Sequence, residues 1–281
     1  MRINRREFGT IAGGSFASFA FGACEAIGHH VSGAAVSGAD ATDGRLTVRP
    51  RADVRTSAER RSTLGLGRER DAILQLPSTA ATTPLPLLVL LHGATGSGEG
   101  VLRRLAGAAD EAGVAVLAPD SRDGTWDGIR GQYGRDVEFL NRALERVFAT
   151  VAVDPARMAV GGFSDGASYA LSIGLINGDL FRRVVAFSPG FVIPGDPHGT
   201  PKFFVSHGTR DPILPIDECS RTIVPNLRRH GYEVTFREFD GRHEIPPEIA
   251  REGMQCLTMV ASYVPARRAS LVDSLRALRY E

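Results

Sequence analysis

Met158-Ala159-Val160-Gly161-Gly162-Phe163-Ser164-Asp165-Gly166-Ala167-Ser168-Tyr169-Ala170-Leu171 is the stretch on which the fold turns. Its first residues form a short apolar run closed by glycine, as a buried strand requires, and from Ala167 the pattern opens a helix. Between them, Gly162-Phe163-Ser164-Asp165-Gly166 matches G-x-S-x-G. A serine that protrudes from a tight strand-to-helix turn needs neighbours two positions away on either side with no side chain to clash. In a chain with 32 glycines the pattern alone carries little weight. The strand before it and the helix after it supply the rest.

Outward from this turn the chain alternates. Residues 68–76 alternate polar and apolar positions and end at Pro77, which predicts a strand. Residues 85–91 are a continuous Leu/Val run suited to a strand buried on both faces. A helix over 99–112 and a strand over 114–118 follow, then a helix over 136–149 with Val137, Leu140, Leu144 and Val147 on one face. Short apolar strands are expected at 158–162, 184–187 and 202–206, with helices over 165–177 and 217–230. The strand 234–239 and a helix over 246–263 complete the series. Such alternation implies an α/β fold, a mostly parallel sheet with helices on both faces. In these sheets function gathers beyond the carboxyl ends of the strands.

A serine hydroxyl becomes a good nucleophile when a base takes its proton and an acid orients that base. Of the histidines after Ser164, His207 ends a strand, His230 closes a helix and His198 lies in a Pro/Gly loop. His243 follows the last strand and the turn Asp240-Gly241-Arg242, which is where a base belongs. Asp211, just beyond the strand 202–206, is the candidate acid. Asp217 is a rival that looks like a helix N-cap, and Asp240 lies too close along the turn to hold the imidazole. Negative charge developing on a substrate oxygen needs preset amide donors. One is the amide of Asp165; the other comes from the loop His92-Gly93-Ala94-Thr95-Gly96-Ser97-Gly98, with Ala94 first and Thr95 the alternative. That loop lacks the Gly-Lys-Ser/Thr of a phosphate loop.

These segments, together with Leu91-His92-Gly93, Ser206-His207-Gly208-Thr209-Arg210-Asp211 and His243-Glu244-Ile245-Pro246, resemble bacterial esterases of the α/β-hydrolase superfamily. The similarity runs from about Leu64 to Tyr263 and is greatest to the carboxylesterase/phospholipase and polyhydroxybutyrate-depolymerase-like groups, which include feruloyl esterases. It implies the α/β-hydrolase fold, with oxyanion loop, nucleophile, acid and base in that chain order. The expected activity is hydrolysis of a small or polymeric carboxylic ester without cofactor or metal. Acyl transfer and peptide cleavage use the same three residues, and a non-catalytic surface-anchored binding protein is the reading from another class. In the fold so implied, the helices carrying Cys219 and Cys256 cover opposite faces of the sheet, so both thiols should be free.

Strand-end positions nominate Trp126, Phe191 and Ile213 as substrate-binding residues. For Trp126, the single tryptophan, the choice is between a flat wall for an acyl or aryl group and a packed lid residue. No insertion is long enough for a large lid domain.

The N-terminus looks like an address. Arg2, Arg5 and Arg6 precede a weakly apolar, Gly/Ala-rich segment, and Arg5-Arg6-Glu7-Phe8 resembles a twin-arginine export signal. Phe21-Gly22-Ala23-Cys24 resembles a lipoprotein cleavage box with Phe21 in place of the usual leucine, which makes Cys24 the candidate lipidation site. The organisation expected is an export signal over 1–24, a flexible linker over 25–62, a catalytic domain over 63–264 and an amphipathic tail over 265–281.

Composition sets outer limits. A 281-residue chain with 43% hydrophobic and 23% charged residues can bury one large core. A net charge of +1 offers no field for nucleic acid. Three cysteines are too few for a disulfide scaffold and lack zinc-site spacing, and no run is long enough to span a membrane. No protein partner is implied; a membrane enters only through an N-terminal lipid.

Overall fold

The structure is a computed structural model and describes residues 41–79 and 83–258. The export signal, Cys24 and the C-terminal tail lie outside the described residues.

Eight strands form one sheet: β1 (Arg61–Thr63), β2 (Ala72–Gln75), β3 (Leu85–Leu91), β4 (Ala115–Pro119), β5 (Val153–Phe163), β6 (Arg183–Phe187), β7 (Lys202–Gly208) and β8 (Val234–Phe239). Their spatial order is β1-β2-β4-β3-β5-β6-β7-β8. The β1–β2 and β2–β4 pairs are antiparallel, and every later pair is parallel. The strand expected over 68–76 is shorter, because Asp71 turns back to accept the amides of Gly65 and Leu66.

In β3 the apolar run divides by parity. Leu87, Val89 and Leu91 enter one core while Leu88 and Leu90 enter the other, which is why the strand is apolar throughout. The first core is closed by α2 (Arg135–Thr150), α3 (Asp165–Ile176) and α4 (Ser220–Arg229). The second is closed by α1 (Gly98–Glu111) and α5 (Pro247–Thr258). Cys219, at the start of α4, and Cys256, on α5, therefore belong to opposite layers, and both are free thiols.

The linker expected over 25–62 is corrected over its second half. Leu46 is buried in the first core, and its amide donates to Asn177 Oδ1 at 2.8 Å. Arg45 and Arg49 both bind the Asp179 carboxylate, at 2.9 and 2.6 Å, and hold its pKa far below the usual carboxylate range. Farther along, Ser57 donates to Thr150 O and β1 joins the sheet edge. The segment from Gly44 is thus a strap on the domain. Its apolar residues are too sparse for a periodic pattern, since a strap needs only an occasional anchor.

Candidate active site

Ser164 stands between the end of β5 and the start of α3 with φ 59° and ψ −122°. A non-glycine residue is rarely held there, and such strain gathers at functional turns. The turn is fastened by the Ser164 amide donating to Phe187 O at 3.0 Å. Both flanking glycines are sterically required. A Cβ on Gly162 would lie 2.4 Å from the Gly166 carbonyl, and one on Gly166 would lie 2.2 Å from Leu91 O. The motif is therefore a packing requirement that leaves the serine side chain projecting from the turn.

His243 follows β8 and is half-buried, with its Nδ1–H donating to Asp211 Oδ2 at 2.6 Å. Its ring lies against Phe163, the residue before Ser164, with centroids 4.7 Å apart. That contact puts His243 against the residue preceding Ser164, although no hydrogen bond joins Ser164 Oγ to His243 among the described residues. Such bonds are often long before substrate arrives.

Asp211, beyond β7, also accepts the amides of Ile213 and Leu214 through Oδ1, at 2.9 and 3.0 Å. Burial opposes its charge, but the Leu214 amide, His243 and the Ile213 amide outweigh it and keep the carboxyl below its ordinary range. Asp217 does not cap α4, whose N-cap position is Cys219; it pairs with Arg221 at 2.8 Å. Asp240 pairs with Arg210 at 2.7 Å. Behind the acid, His207 is fully buried. Its Nε2–H donates to Leu214 O at 2.7 Å and lies 3.2 Å from Asp211 Oδ2, while Nδ1 meets Ser220 Oγ at 2.7 Å. Burial lowers its pKa, so it is neutral.

Beside Ser164 lies the loop 92–98. The amides of Ala94 and Asp165 have no acceptor among the described residues, whereas the Thr95 amide donates to Gly124 O at 2.6 Å. Thr95 is therefore engaged, and Ala94 and Asp165 are left to receive an oxygen. His92, buried and kept neutral by that burial, pins the loop. Its Nδ1–H donates to Gly93 O at 2.7 Å and its Nε2 accepts the Ser121 amide at 2.9 Å. Nothing in the local sequence marked His92 for this task.

Trp126 is corrected as a substrate wall. It is 1% exposed, packed between His92 and Tyr169 with centroids 5.0 and 5.2 Å away. Its Nε1–H donates to His92 O at 2.9 Å, and neighbouring Thr125 donates to Asp165 Oδ2 at 2.7 Å. The loop carrying them is knotted by two acids that sequence reasoning passed over. Asp127 accepts the Tyr169 hydroxyl at 2.8 Å together with the Gly134 and Asp136 amides. Asp136 accepts the Arg122 and Asp127 amides. Burial raises the pKa of Asp136 to about 6 despite those bonds.

A cleft of about 440 Å³ opens beside the nucleophile, walled by Gly93, Ala94, Arg103, Arg104 and Phe163 among others. A Cβ on Gly93 would lie 3.2 Å from Ser164 Cβ, so the cleft and the serine adjoin. Phe191 and Ile213, 41% and 65% exposed, follow β6 and β7 and are not part of this wall. Among the described residues no group of three or more His, Cys, Asp or Glu side chains could hold a metal ion.

Sheet order, the strained serine at the tip of a central strand and the histidine after the last strand define an α/β-hydrolase fold, as the sequence resemblance implied. Residues 136–259 match the family model described as Phospholipase/Carboxylesterase. The chain is 30% identical over 185 residues to "Putative esterase NocK" of Nocardia uniformis subsp. tsuyamanensis, covering 61% of this chain and 53% of that protein. It is 29% identical over 114 residues to "Feruloyl esterase C" of Emericella nidulans, covering 39% and 41%. The chain thus spans about half the length of the curated relatives it matches. Among solved structures, the Staphylococcus aureus S-formylglutathione hydrolase superposes with a TM-score of 0.58 at 18% identity, over 76% of this chain and 100% of that one. Esterase PE8 gives 0.53 at 23% identity, over 66% and 97%. At these identities the likeness speaks for the fold.

Proposed function

We propose that this protein hydrolyses carboxylic esters through an acyl intermediate on Ser164. The observation that carries this is a strained Ser164 at the end of β5 together with two nearby amides, Ala94 and Asp165, that have no acceptor among the described residues. His243 takes the Ser164 proton through Nε2 as Oγ attacks the ester carbon, and Asp211 holds the imidazole by Nδ1 and stabilises its charged form. The carbonyl oxygen gains a negative charge and is met by the two amides, which need no reorganisation when that charge appears. Collapse of the tetrahedral adduct breaks the ester C–O bond, and His243 hands the proton to the departing alcohol. Water then attacks the acyl-serine by the same relay. The esterases among the relatives support this chemistry.

A fluorophosphonate probe tests it. The expected result is one adduct, mapped to Ser164, with loss of 4-nitrophenyl acetate hydrolysis in parallel. Labelling elsewhere, or undiminished turnover by Ser164→Ala, would overturn the assignment.

We further propose, separately from the ester chemistry, that the mature protein lies outside the cytoplasm, held by a lipid on Cys24. Its support is the sequence alone: Arg5-Arg6 ahead of a softened apolar segment, and small residues before Cys24. Replacing both Arg5 and Arg6 by lysine should trap precursor inside the cell, and Cys24→Ser should release soluble protein from the membrane fraction. Cys24→Ser protein that stays with the membrane would exclude the lipid anchor.

A further inference from the structure

The cleft beside Ser164 has a wall that the hydrolytic machinery does not use. α1 runs along it and contributes Arg103 and Arg104. Arg104 lays its guanidinium over the ring of Phe163, with Cζ 5.0 Å from the centroid. The same ring has His243 at 4.7 Å, so the Arg104 charge lies within about 10 Å of that imidazole.

The two arginines differ in their partners. Arg103 has Glu99 at 3.9 Å, one turn back on the same helix. Arg104 has no carboxylate partner among the described residues. The acids near this wall are held elsewhere: Glu99 by Arg61, Asp120 by the Gly98 amide and Asp165 by Thr125. A guanidinium stacked on an aromatic face keeps its N–H edge free for a planar anion and loses little freedom when it binds one.

Resting on the ester-hydrolase reading, we propose that Arg104 makes this cleft selective for esters that carry an anionic group, such as a carboxylate, close to the scissile bond. Phe163 sets the reach. It belongs to the nucleophile turn, so any movement of the turn carries with it the platform on which the cation lies. The charge is on an exposed side chain, and added salt should weaken the preference.

Two matched pairs of substrates test this on the full-length protein. One places the anion on the acyl side, 4-nitrophenyl hydrogen glutarate against its methyl-capped form. The other places it on the alcohol side, 4-acetoxybenzoate against its methyl ester. In at least one pair the wild type should favour the anion in kcat/KM, and Arg104→Gln should reduce that preference about tenfold, the scale of one exposed charge-assisted contact. Turnover of the neutral partners should stay within about twofold, and Arg103→Gln should have the smaller effect. An unchanged anion-to-neutral ratio in both pairs, with Ser164-dependent turnover intact, overturns the role of Arg104 alone. Absence of Ser164-dependent turnover on every ester overturns the hydrolase reading with it.

Discussion

Two buried, neutral histidines stand behind the site, one on each side of the nucleophile, and they differ in what they hold. His92 meets backbone on both ring nitrogens, the Gly93 carbonyl and the Ser121 amide, with the Arg70 guanidinium 3.4 Å from Nε2, and through these contacts it fixes the loop 92–98. His207 stands behind a charge, beside an Asp211 carboxylate that already has two amides and His243 as partners. One is the axle of its loop; the other is a fourth support for a group with three. Equal burial thus carries unequal consequence.

The largest expected effects set the scale for that contrast. Ser164→Ala and His243→Ala should each remove about 10⁶ of kcat, with the double variant hardly worse, because the residues act as a unit. Asp211→Asn should lose about 10⁴ with the fold intact. Asp217→Asn should stay within about twofold, since Asp217 meets only a surface arginine. A greater loss at Asp217 than at Asp211 would show that the wrong carboxylate has been paired with His243.

Substitutions at the two histidines should then separate. His92→Gln is expected to lower kcat by about 10²-fold with little change in KM, the loss typical of a misplaced oxyanion donor. His207→Gln should cost about tenfold, because three partners remain on Asp211. Equal losses, measured on variants whose melting temperatures show them folded, would break the distinction. Trp126→Phe sharpens it further. The ring stacking survives while the bond to His92 O is lost, so kcat should fall by less than in His92→Gln, about tenfold.

The smallest effect is on stability. Both histidines have folded pKa values below the unfolded 6.5, so the unfolded chain takes up protons that the folded one refuses. Their contribution is fully present above pH 6.5 and is lost as pH falls through their folded values. The slope is at most about 1.4 kcal/mol per pH unit for each histidine. Asp136 acts in the opposite sense. Its pKa is raised to about 6, so its contribution is present below the unfolded 3.8 and fades as pH rises through about 6. The melting temperature should therefore fall as pH drops below 6.5, with Asp136 offsetting part of that fall from about pH 6 downward. In Asp136→Asn protein, where that offset is absent, a melting temperature that rises from pH 7 to pH 6 would show that burial does not hold the two histidines neutral.

Much of this architecture was legible beforehand because it is local. Runs such as Leu85–Leu91 must be apolar when both faces are covered, and Val137, Leu140 and Leu144 must recur at helical spacing when one face is. The strap around Leu46, the packing of Trp126 and the Asp127–Asp136 knot were not legible in this way. Each depends on single contacts to residues far along the chain, and a single contact leaves no period to detect.

The same division runs through the site. Sequence by itself determined where Ser164 stands, because the strand before it, the turn and the helix after it are contiguous in the chain. It also determined that His243 follows the last strand. The sequence put Asp211 forward over Asp217 and Asp240, but only the tertiary structure brings it to the histidine, since Asp211 lies 32 residues earlier and reaches it across the ends of two adjacent strands. Likewise, the sequence ranked Ala94 before Thr95, and the fold supplies the reason by bringing Gly124 O against the Thr95 amide. A hydrogen bond is set by distance and angle in space, and for residues on different strands those follow from sheet order and loop path, which no local pattern encodes.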